Sequence, residues 1–268
     1  AGPQATKEDV ELVREQLGLN KPLPQQYVSY VTGLVRGDLG TSLRTKRPVL
    51  TEVQGRYMNT VQLTLLSLTW SVIAGVLIGV WSGRNRSKWQ DYTGMTVAVS
   101  GISMPSFWIG FMLIMVFAVK YRLLPTTGAG SFKNLILPSI TLGVSIAAII
   151  ARFTRSSVIE VMKEDYVRTA RAKGLREKTV IWKHVFRNCM ISVVTVVGLQ
   201  FGFLLGGSVV TETVFAFPGL GSLLIESVNY RDYPAIQSLI LIFSLHFVLI
   251  NLVVDVLYAV LNPEIQLS

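Results

Sequence analysis

The sequence predicts an all-α polytopic membrane protein with five visible transmembrane helices, from three observations. Half of the 268 residues are hydrophobic, only 15% are charged, and the mean hydropathy is +0.48. A soluble domain usually carries about 25% charged residues. The apolar residues gather in five runs, and a hydrocarbon core of about 30 Å needs roughly 20 helical residues. The runs also lack the alternating pattern of outer-membrane barrel strands.

The five runs all follow a polar N-terminal segment. The second run contains Pro105 near its middle. Membrane helices tolerate proline where neighbouring groups satisfy the freed carbonyl, so we expect this run to cross the membrane as one helix. The predicted spans are residues 60–81, 93–119, 135–151, 189–210 and 235–261.

Residues 1–59 predict an external segment of short helices. Apolar residues recur at helical spacing between Val10 and Leu17 and again between Tyr27 and Val35. A further helix is predicted over residues 48–57, with Pro48 in its first turn. The predicted organisation is therefore an external segment, residues 1–59, followed by a transmembrane domain, residues 60–268.

The distribution of lysine and arginine orients the spans. The loops after the first and third runs hold thirteen of these residues, whereas the loops on the opposite side hold four. The side with the excess is cytoplasmic, so the N-terminal segment lies outside. Because the sequence shows no signal peptide, we expect an upstream helix to lead this segment across, which gives six spans in the intact chain. Translocation of the tail of a five-span protein is the alternative.

The charge and the reactive residues narrow the classes of function. The net charge is +9, yet no basic stretch forms a recognisable nucleic-acid module. The lone Cys189 cannot form an intrachain disulfide, and no Cys/His spacing typical of zinc is present. We therefore assign no catalytic residue, no metal site and no bound cofactor. A membrane enzyme would need a cluster of His, Asp, Glu or Cys, and none is visible in the sequence.

A secondary transporter or channel that acts alone remains an alternative of a different class. Such proteins carry ionisable residues within the membrane and internal repeats. Only His246 and Asp255 are ionisable within the predicted spans, and no repeat of the spans is visible.

The loop over residues 152–188 carries most of the functional information. It holds ten basic and four acidic residues and therefore lies in water on the cytoplasmic side. Both sides of Gly174 favour helix, and glycine is a common C-terminal stop. Downstream, Val180, Ile181 and Val185 share one helical face. A helix of this kind can fit a groove in a partner and transmit its movement, or it can be a solvated loop that only sets topology.

The stretch EDYVRTARAKG, from Glu164 to Gly174, resembles the coupling loop of permease subunits in binding-protein-dependent ABC importers. That family shows an EAA-like triplet, three further residues and a glycine; here Arg168, Thr169 and Ala170 take the triplet positions. The resemblance covers nearly the whole chain and is greatest in the dipeptide, oligopeptide and nickel branch. Other matching segments are GDLGTS (37–42), GISMPSFW (101–108), LLPTTG (123–128), VFAFPGLG (214–221), RDYPAIQ (231–237) and NPEIQL (262–267).

Two departures from the family pattern stand out. Ser192 occupies a position where the family usually has proline, and the family's first membrane helix is absent. The resemblance still implies a helix at about residues 163–173 that sits in a groove of an ATPase subunit. It assigns coupling to Glu164, Asp165, Tyr166, Arg168, Thr169, Ala170, Arg171, Ala172 and Gly174. It assigns the outer gate, or contact with a binding protein, to Phe217, Pro218, Gly219 and Gly221.

The resemblance also implies a set of partners. They are a second permease subunit in a heterodimer, two cytoplasmic ATPase subunits and an external binding protein. ATP and Mg²⁺ are then used by the ATPases, since this chain has no G-x-x-x-x-G-K-[ST] phosphate loop. Peptides are the implied cargo, with glutathione as the first candidate and nickel or a nickel chelate as the alternative.

Overall fold

The computed structural model describes residues 18–261 continuously, together with Thr6, Glu8, Glu11, Arg14 and Glu15. The apolar positions predicted between residues 10 and 17 lie outside the described residues, as does the segment 262–267. No strand is named within the described part, which holds one isolated bridge between Thr41 and Pro48. The elements are α1 Leu23–Val35, α2 Val49–Arg84, α3 Trp89–Ser103, α4 Ser106–Leu113, the π-helix π1 Ile114–Lys120, α5 Phe132–Val161, α6 Asp165–Ala172, α7 Glu177–Thr179, the π-helix π2 Val180–Phe186, α8 Arg187–Val214, α9 Leu220–Asn229 and α10 Tyr233–Leu261.

The all-helical polytopic fold is confirmed. Three helices, α2, α5 and α10, are each long and apolar enough to cross a membrane. Two bent pairs pass the same test together, namely α3 with α4 and π1, and Glu177–Met190 with Ser192–Leu204. Counting each bent pair as one span gives five spans, the number predicted. In the second pair, Ser192–Leu204 lies within the predicted span 189–210, whereas most of Glu177–Met190 lies in the predicted loop 152–188.

The single helix that we expected through Pro105 does not form. Its two halves meet at 103°. Met104 has extended backbone angles, with φ −92° and ψ 132°, and α4 begins immediately after Pro105. Proline disfavours the helical conformation of the residue before it and has no N–H to donate, so the break falls at this pair.

Helix α2 is a single rod of 36 residues. It joins the short helix predicted over residues 48–57 to the first span, with Pro48 as the residue before its first turn. The backbone therefore has no break at the domain boundary predicted after residue 59. At about 1.5 Å per residue, α2 is roughly 54 Å long and extends beyond a hydrocarbon core.

Helices α2 and α5 form the most extensive helix pair of the fold, and glycines allow their close approach. A methyl group on Gly79 would lie 2.5 Å from Thr154 Cβ and 2.6 Å from the Ala151 carbonyl oxygen. Gly75 and Gly83 are equally crowded by Ile150 and Val158. Small residues four apart on one helix face are a common means of close packing in membranes.

An ion pair ties α3 to α5 near the end of the bundle that carries α6, which the lysine and arginine distribution predicts to be cytoplasmic. The Arg155 guanidinium donates to both Asp91 oxygens, at 2.5 and 2.7 Å. The Ser87 N–H donates to the same carboxylate at 3.0 Å. Asp91 is almost completely buried, so these donors satisfy a charge that would otherwise be costly to bury.

A separate apolar cluster organises the end of the bundle at which α2 begins. The lysine and arginine distribution predicts that this end is external, and we call it the external end. It brings together the first turns of α2, the helix α9 and the first turns of α10. Ser238 adds a hydrogen bond to the Leu39 carbonyl, so the external loop before α2 is fixed to α10. The buried members of the cluster are Val49, Val53, Leu220, Leu223, Ala235 and Leu239.

Candidate functional site

The predicted coupling stretch forms the short helix α6, bounded on both sides by non-helical residues. Glu164 precedes it with extended backbone angles, φ −63° and ψ 144°. Gly174 follows it with φ +75°, a left-handed conformation that glycine adopts without steric cost. The Gly174 N–H donates to the Arg171 carbonyl at 2.9 Å, which closes the last turn. The glycine stop inferred from the sequence is therefore present in the backbone.

Helix α6 is held by two buried residues on one face. Val167 and Ala170 are 0% and 5% exposed and belong to the main hydrophobic core. Ala170 thus packs inward and positions the helix. The other eight predicted coupling residues are exposed: Glu164, Asp165, Tyr166, Arg168, Thr169, Arg171, Ala172 and Gly174.

An ion pair joins α6 to the segment after Gly174. The Arg171 guanidinium donates to both Glu177 oxygens, at 2.9 and 3.2 Å. The hydrogen bond from Arg171 outweighs partial burial and lowers the pKa of the Glu177 carboxyl. The Arg168–Asp165 pair, at 3.7 Å, is almost fully exposed and contributes little stability.

The helix is shorter than predicted and its continuation differs in type. It has eight residues, or about 12 Å, rather than the eleven expected over 163–173. Downstream, a single α-turn passes into π2. The face predicted from Val180, Ile181 and Val185 is correct, since all three are buried. They pack in the same core as α6, which fixes the exposed face of α6 relative to the spans.

At the external end, the carboxylate of Glu212 is completely buried at the start of α9. It accepts hydrogen bonds from the Thr60 hydroxyl at 2.8 Å and from the Ser222 N–H at 3.0 Å. A backbone hydrogen bond with Gly221 and a side-chain bond with Ser208 complete its surroundings. The first N–H groups of a helix have no partner within it, and a carboxylate there also favours the helix dipole. Glu212 therefore caps α9 from a different helix.

The glycines of the FPGLG segment make room for this carboxylate. A methyl group on Gly219 would lie 2.4 Å from the Glu212 carboxyl carbon. One on Gly221 would lie 2.6 Å from Val209 Cα. Their role is close approach, because neither has a left-handed backbone conformation.

Three residues on one face of α2 contact this region, and we call these contacts the outer seam. Arg56 pairs with Glu226 at 3.2 Å, the Asn59 amide donates to the Pro218 carbonyl at 2.8 Å, and Thr60 bonds to Glu212. The Thr60 hydroxyl also accepts from the Leu220 N–H at 2.8 Å. The outer seam thus consists of Arg56, Asn59 and Thr60 facing Glu212, Pro218, Leu220 and Glu226.

The predicted gate residues lie beneath the surface of this region. Phe217, Gly219 and Gly221 are buried, and Pro218 is half-buried. Their roles as gate or as binding-protein contact stay predictions. Our sequence reasoning did not assign Glu212 or Thr60 to a site. The available signal was an acidic residue, Glu212, at the end of an apolar run and six residues before the Pro218–Gly219 pair, but the sequence did not identify the partner of Glu212.

Two family models match the chain. The model described as binding-protein-dependent transport system inner membrane component matches residues 75–267. The model for the N-terminal part of such membrane components matches residues 1–64. Together they include α6, the outer seam and the polar N-terminal segment.

Several curated relatives are similar over almost the whole chain. The glutathione transport system permease protein GsiC of Escherichia coli O6:H1 is 56% identical over 266 residues, which is 99% of this chain and 87% of the relative. The protein of the same name from Escherichia coli K12 is 55% identical, and that from Salmonella choleraesuis is 54% identical, with the same coverage.

Solved structures share the fold at low sequence identity. An inward-facing structure of the MetNI methionine ABC transporter matches with a TM-score of 0.68 and 18% identity, covering 79% of this chain and 96% of that one. The crystal structure of an amino acid ABC transporter with histidines matches with a TM-score of 0.62 and 17% identity, covering 77% and 92%.

Proposed function

This chain belongs to the family of binding-protein-dependent transport system inner membrane components, and we propose that it moves short peptides by coupling α6 to a partner ATPase. It is a multi-pass permease subunit of the bacterial inner membrane. The chain itself is a transport component; ATP hydrolysis, with Mg²⁺, falls to two cytoplasmic ATPase subunits. A second, related permease subunit forms the other half of the path, and an external binding protein delivers the cargo.

The shape of α6 is the observation that carries the coupling proposal. Its inner face is fixed by Val167 and Ala170, while its outer face is polar and exposed. A buried anchor with an exposed face fits a helix that docks in a groove and moves with it. A loop that only sets topology would need no buried anchor and no left-handed stop at Gly174.

The cargo proposal rests on the relatives. Proteins that are 54–56% identical over 99% of this chain are named glutathione transport permeases. We therefore place glutathione first among the short peptides that this chain carries. Calorimetric titration of the partner binding protein with glutathione tests this. A binding protein that binds dipeptides but not glutathione would contradict glutathione as the cargo and would leave short peptides as the cargo class.

The outer gate proposal now includes the residues that hold the FPGLG segment. Phe217, Pro218 and Gly219 form the turn before α9, Gly221 lies in the first turn of that helix, and Glu212 caps it. We place the gate at this turn because it joins α2, α8 and α9 at the external end.

A proline substitution tests the coupling role of α6. Gly174→Pro is incompatible with φ +75° and removes the N–H that bonds to Arg171. Gly37→Pro is the matched control, because Gly37 has φ +80° and its N–H bonds to the Leu34 carbonyl at 2.9 Å. Both glycines are open to added atoms, so the two variants differ mainly in their place on the molecule.

The measurement is co-purification of the ATPase subunits from membranes. We expect Gly174→Pro to lose the ATPases and Gly37→Pro to retain them. Equal ATPase recovery and equal uptake in both variants would remove the coupling role from α6.

A further inference from the structure

Helix α2 connects the two ends of the bundle as one unbroken element. Its cytoplasmic part includes Gly83, which packs on Val158, and its external part includes Thr60, which bonds to Glu212. An α-helix that is packed along its length moves as a rigid body. A displacement at one end of α2 therefore reaches the other end.

The cytoplasmic half of α2 is fixed to the helix that leads into α6. The contacts of Gly75, Gly79 and Gly83 with α5 leave no room for an added methyl group. Helix α5 then passes into α6 through a hydrogen-bonded turn, in which the Glu164 N–H donates to Val161 at 3.1 Å. A movement of α6 thus acts on a unit that includes α2.

The external half of α2 reaches α9 through the outer seam. Asn59 and Thr60 lie three and four positions after Arg56, so both are on the helix face that carries Arg56. The apolar cluster that includes Val53 and residues of α9 stabilises the contact between the helices, but the hydrophobic effect is non-directional and does not fix their relative position. Hydrogen bonds depend on angle and distance, and they fix where α9 sits on α2.

Thr60 and Glu212 form the centre of this seam. The Thr60 hydroxyl donates a hydrogen bond to Glu212 and accepts one from the Leu220 N–H. This one group therefore joins α2, α8 and α9. Both side chains are almost completely buried, at 1% and 0% exposure. Removal of the hydroxyl leaves the buried Leu220 N–H without its acceptor, and water does not readily reach the site to take the place of the hydroxyl.

We propose that Thr60 and Glu212 are positioning residues that make α9 follow α2 when α6 is moved from the cytoplasmic side. The proposal rests on the coupling function of α6, since that is where the movement begins. It assigns to the outer seam the transfer of movement to the external gate. Without the seam, α9 slips on α2 and ATP hydrolysis is no longer matched by transport.

The test follows the distance between α2 and α9 in the assembled transporter. Spin labels at Met58→Cys and Asn229→Cys report this distance, because both positions are exposed and the native Cys189 is buried. The complex with its ATPases is measured in nanodiscs, with and without a non-hydrolysable ATP analogue.

Three substitutions are compared in the labelled background, and a fourth is held in reserve. Thr60→Val keeps the side-chain shape and removes the hydroxyl, and Thr60→Ser restores the hydroxyl. Thr69→Val is the matched control on the same helix, since the Thr69 hydroxyl is exposed and bonds only to its own helix at Leu65, at 2.7 Å. Asn59→Ala removes the hydrogen bond to the Pro218 carbonyl in the outer seam. It replaces Thr60→Val in the comparison if the Thr60→Val complex does not assemble.

We expect one α2–α9 distance in the wild type, unchanged by nucleotide. Thr60→Val should shift the equilibrium about tenfold towards a second, longer α2–α9 distance and should lower the cargo moved per ATP, while Thr60→Ser and Thr69→Val behave as wild type. A change of the wild-type distance on nucleotide binding overturns the proposal, as does identical behaviour of Thr60→Val and Thr69→Val. A wild-type complex that fails to bind ATPases contradicts the function of α6 instead, so the two failures are distinguishable.

Discussion

Ser42 and Asp232 are separated by 190 positions in the chain, yet the Ser42 hydroxyl donates a hydrogen bond to the Asp232 carboxylate. The same carboxylate accepts from the Leu43 N–H at 3.1 Å, and the Ser42 oxygen accepts from the Thr45 N–H at 3.0 Å. Both side chains are buried. These bonds fix the external loop of residues 41–48 to the turn before α10. The segments GDLGTS and RDYPAIQ are thus two halves of one contact.

The Asp232 contact yields a first prediction. The Asp232 carboxylate only accepts hydrogen bonds, whereas an asparagine amide places an NH₂ group against some of the donors that surround it. For Asp232→Asn we therefore expect a loss of about 1–3 kcal/mol in the free energy of unfolding. Thermal unfolding of the purified protein in detergent measures it. Asp165→Asn is the control, because the Asp165 side chain is 93% exposed. Equal unfolding midpoints for the two variants would contradict the prediction.

The glycine contact of α2 with α5 yields a second prediction. Gly79→Ala introduces a methyl group 2.5 Å from Thr154 Cβ, so we expect overpacking to cost about 1–3 kcal/mol. Gly55→Ala lies on the same helix with nothing within 4 Å and is the control. There alanine should be neutral or stabilising by up to about 1 kcal/mol, because it favours helix more than glycine. The pair is compared by chemical denaturation, and a stable Gly79→Ala protein would show that the helices can separate freely.

The fit of Gly219 against Glu212 yields a third prediction. Gly219→Ala is expected to push α9 away from its cap, since the added carbon meets the carboxyl group at 2.4 Å. Gly206→Ala, in α8, meets nothing within 4 Å and is the control. Limited proteolysis from the external side should cut the turn at residues 215–219 several-fold faster in Gly219→Ala. Equal cleavage rates would mean that the carboxylate can move aside.

The external carboxylate of Glu226 yields a prediction about pH. Partial burial raises its pKa, but hydrogen bonds from Arg56 and Arg44 prevail and the pKa lies below its ordinary value. A lowered pKa in the folded state stabilises the fold above the ordinary carboxyl pKa of about 4.3, and this stabilisation is lost as pH falls through the lower folded value.

The Glu226 prediction is tested by comparing unfolding midpoints of the wild type and Glu226→Gln across pH. We expect the wild type to be the more stable at pH 7 and the difference to shrink as pH falls below about 4. Because the side chain is 37% exposed, added salt should also reduce the difference. The exposed Glu160→Gln is the control. A difference that stays constant with pH would show that the pairing with arginine contributes no charge-dependent stability.

The sequence by itself determined the elements whose signals are local. Apolar runs predicted the spans, lysine and arginine counts predicted their orientation, and Gly174 marked the end of α6. The buried face of Val180, Ile181 and Val185 was visible as a helical repeat. The spacing of Gly75, Gly79 and Gly83 was equally readable, although it was not used. Each of these signals lies within one helix and follows from backbone geometry and the cost of exposing apolar surface.

Only the tertiary structure decided which distant residues meet. The sequence predicted one helix through Pro105, whereas the structure bends by 103° there. Thr60 and Glu212 are 152 positions apart, and neither shows in its own neighbourhood that the other will satisfy it. Hydrogen bonds act over about 3 Å, so these partners exist only once the packing of α2, α5 and α8 has brought the helices together. The sequence determines which polar groups are present, and the helix packing determines which of them form hydrogen bonds with each other.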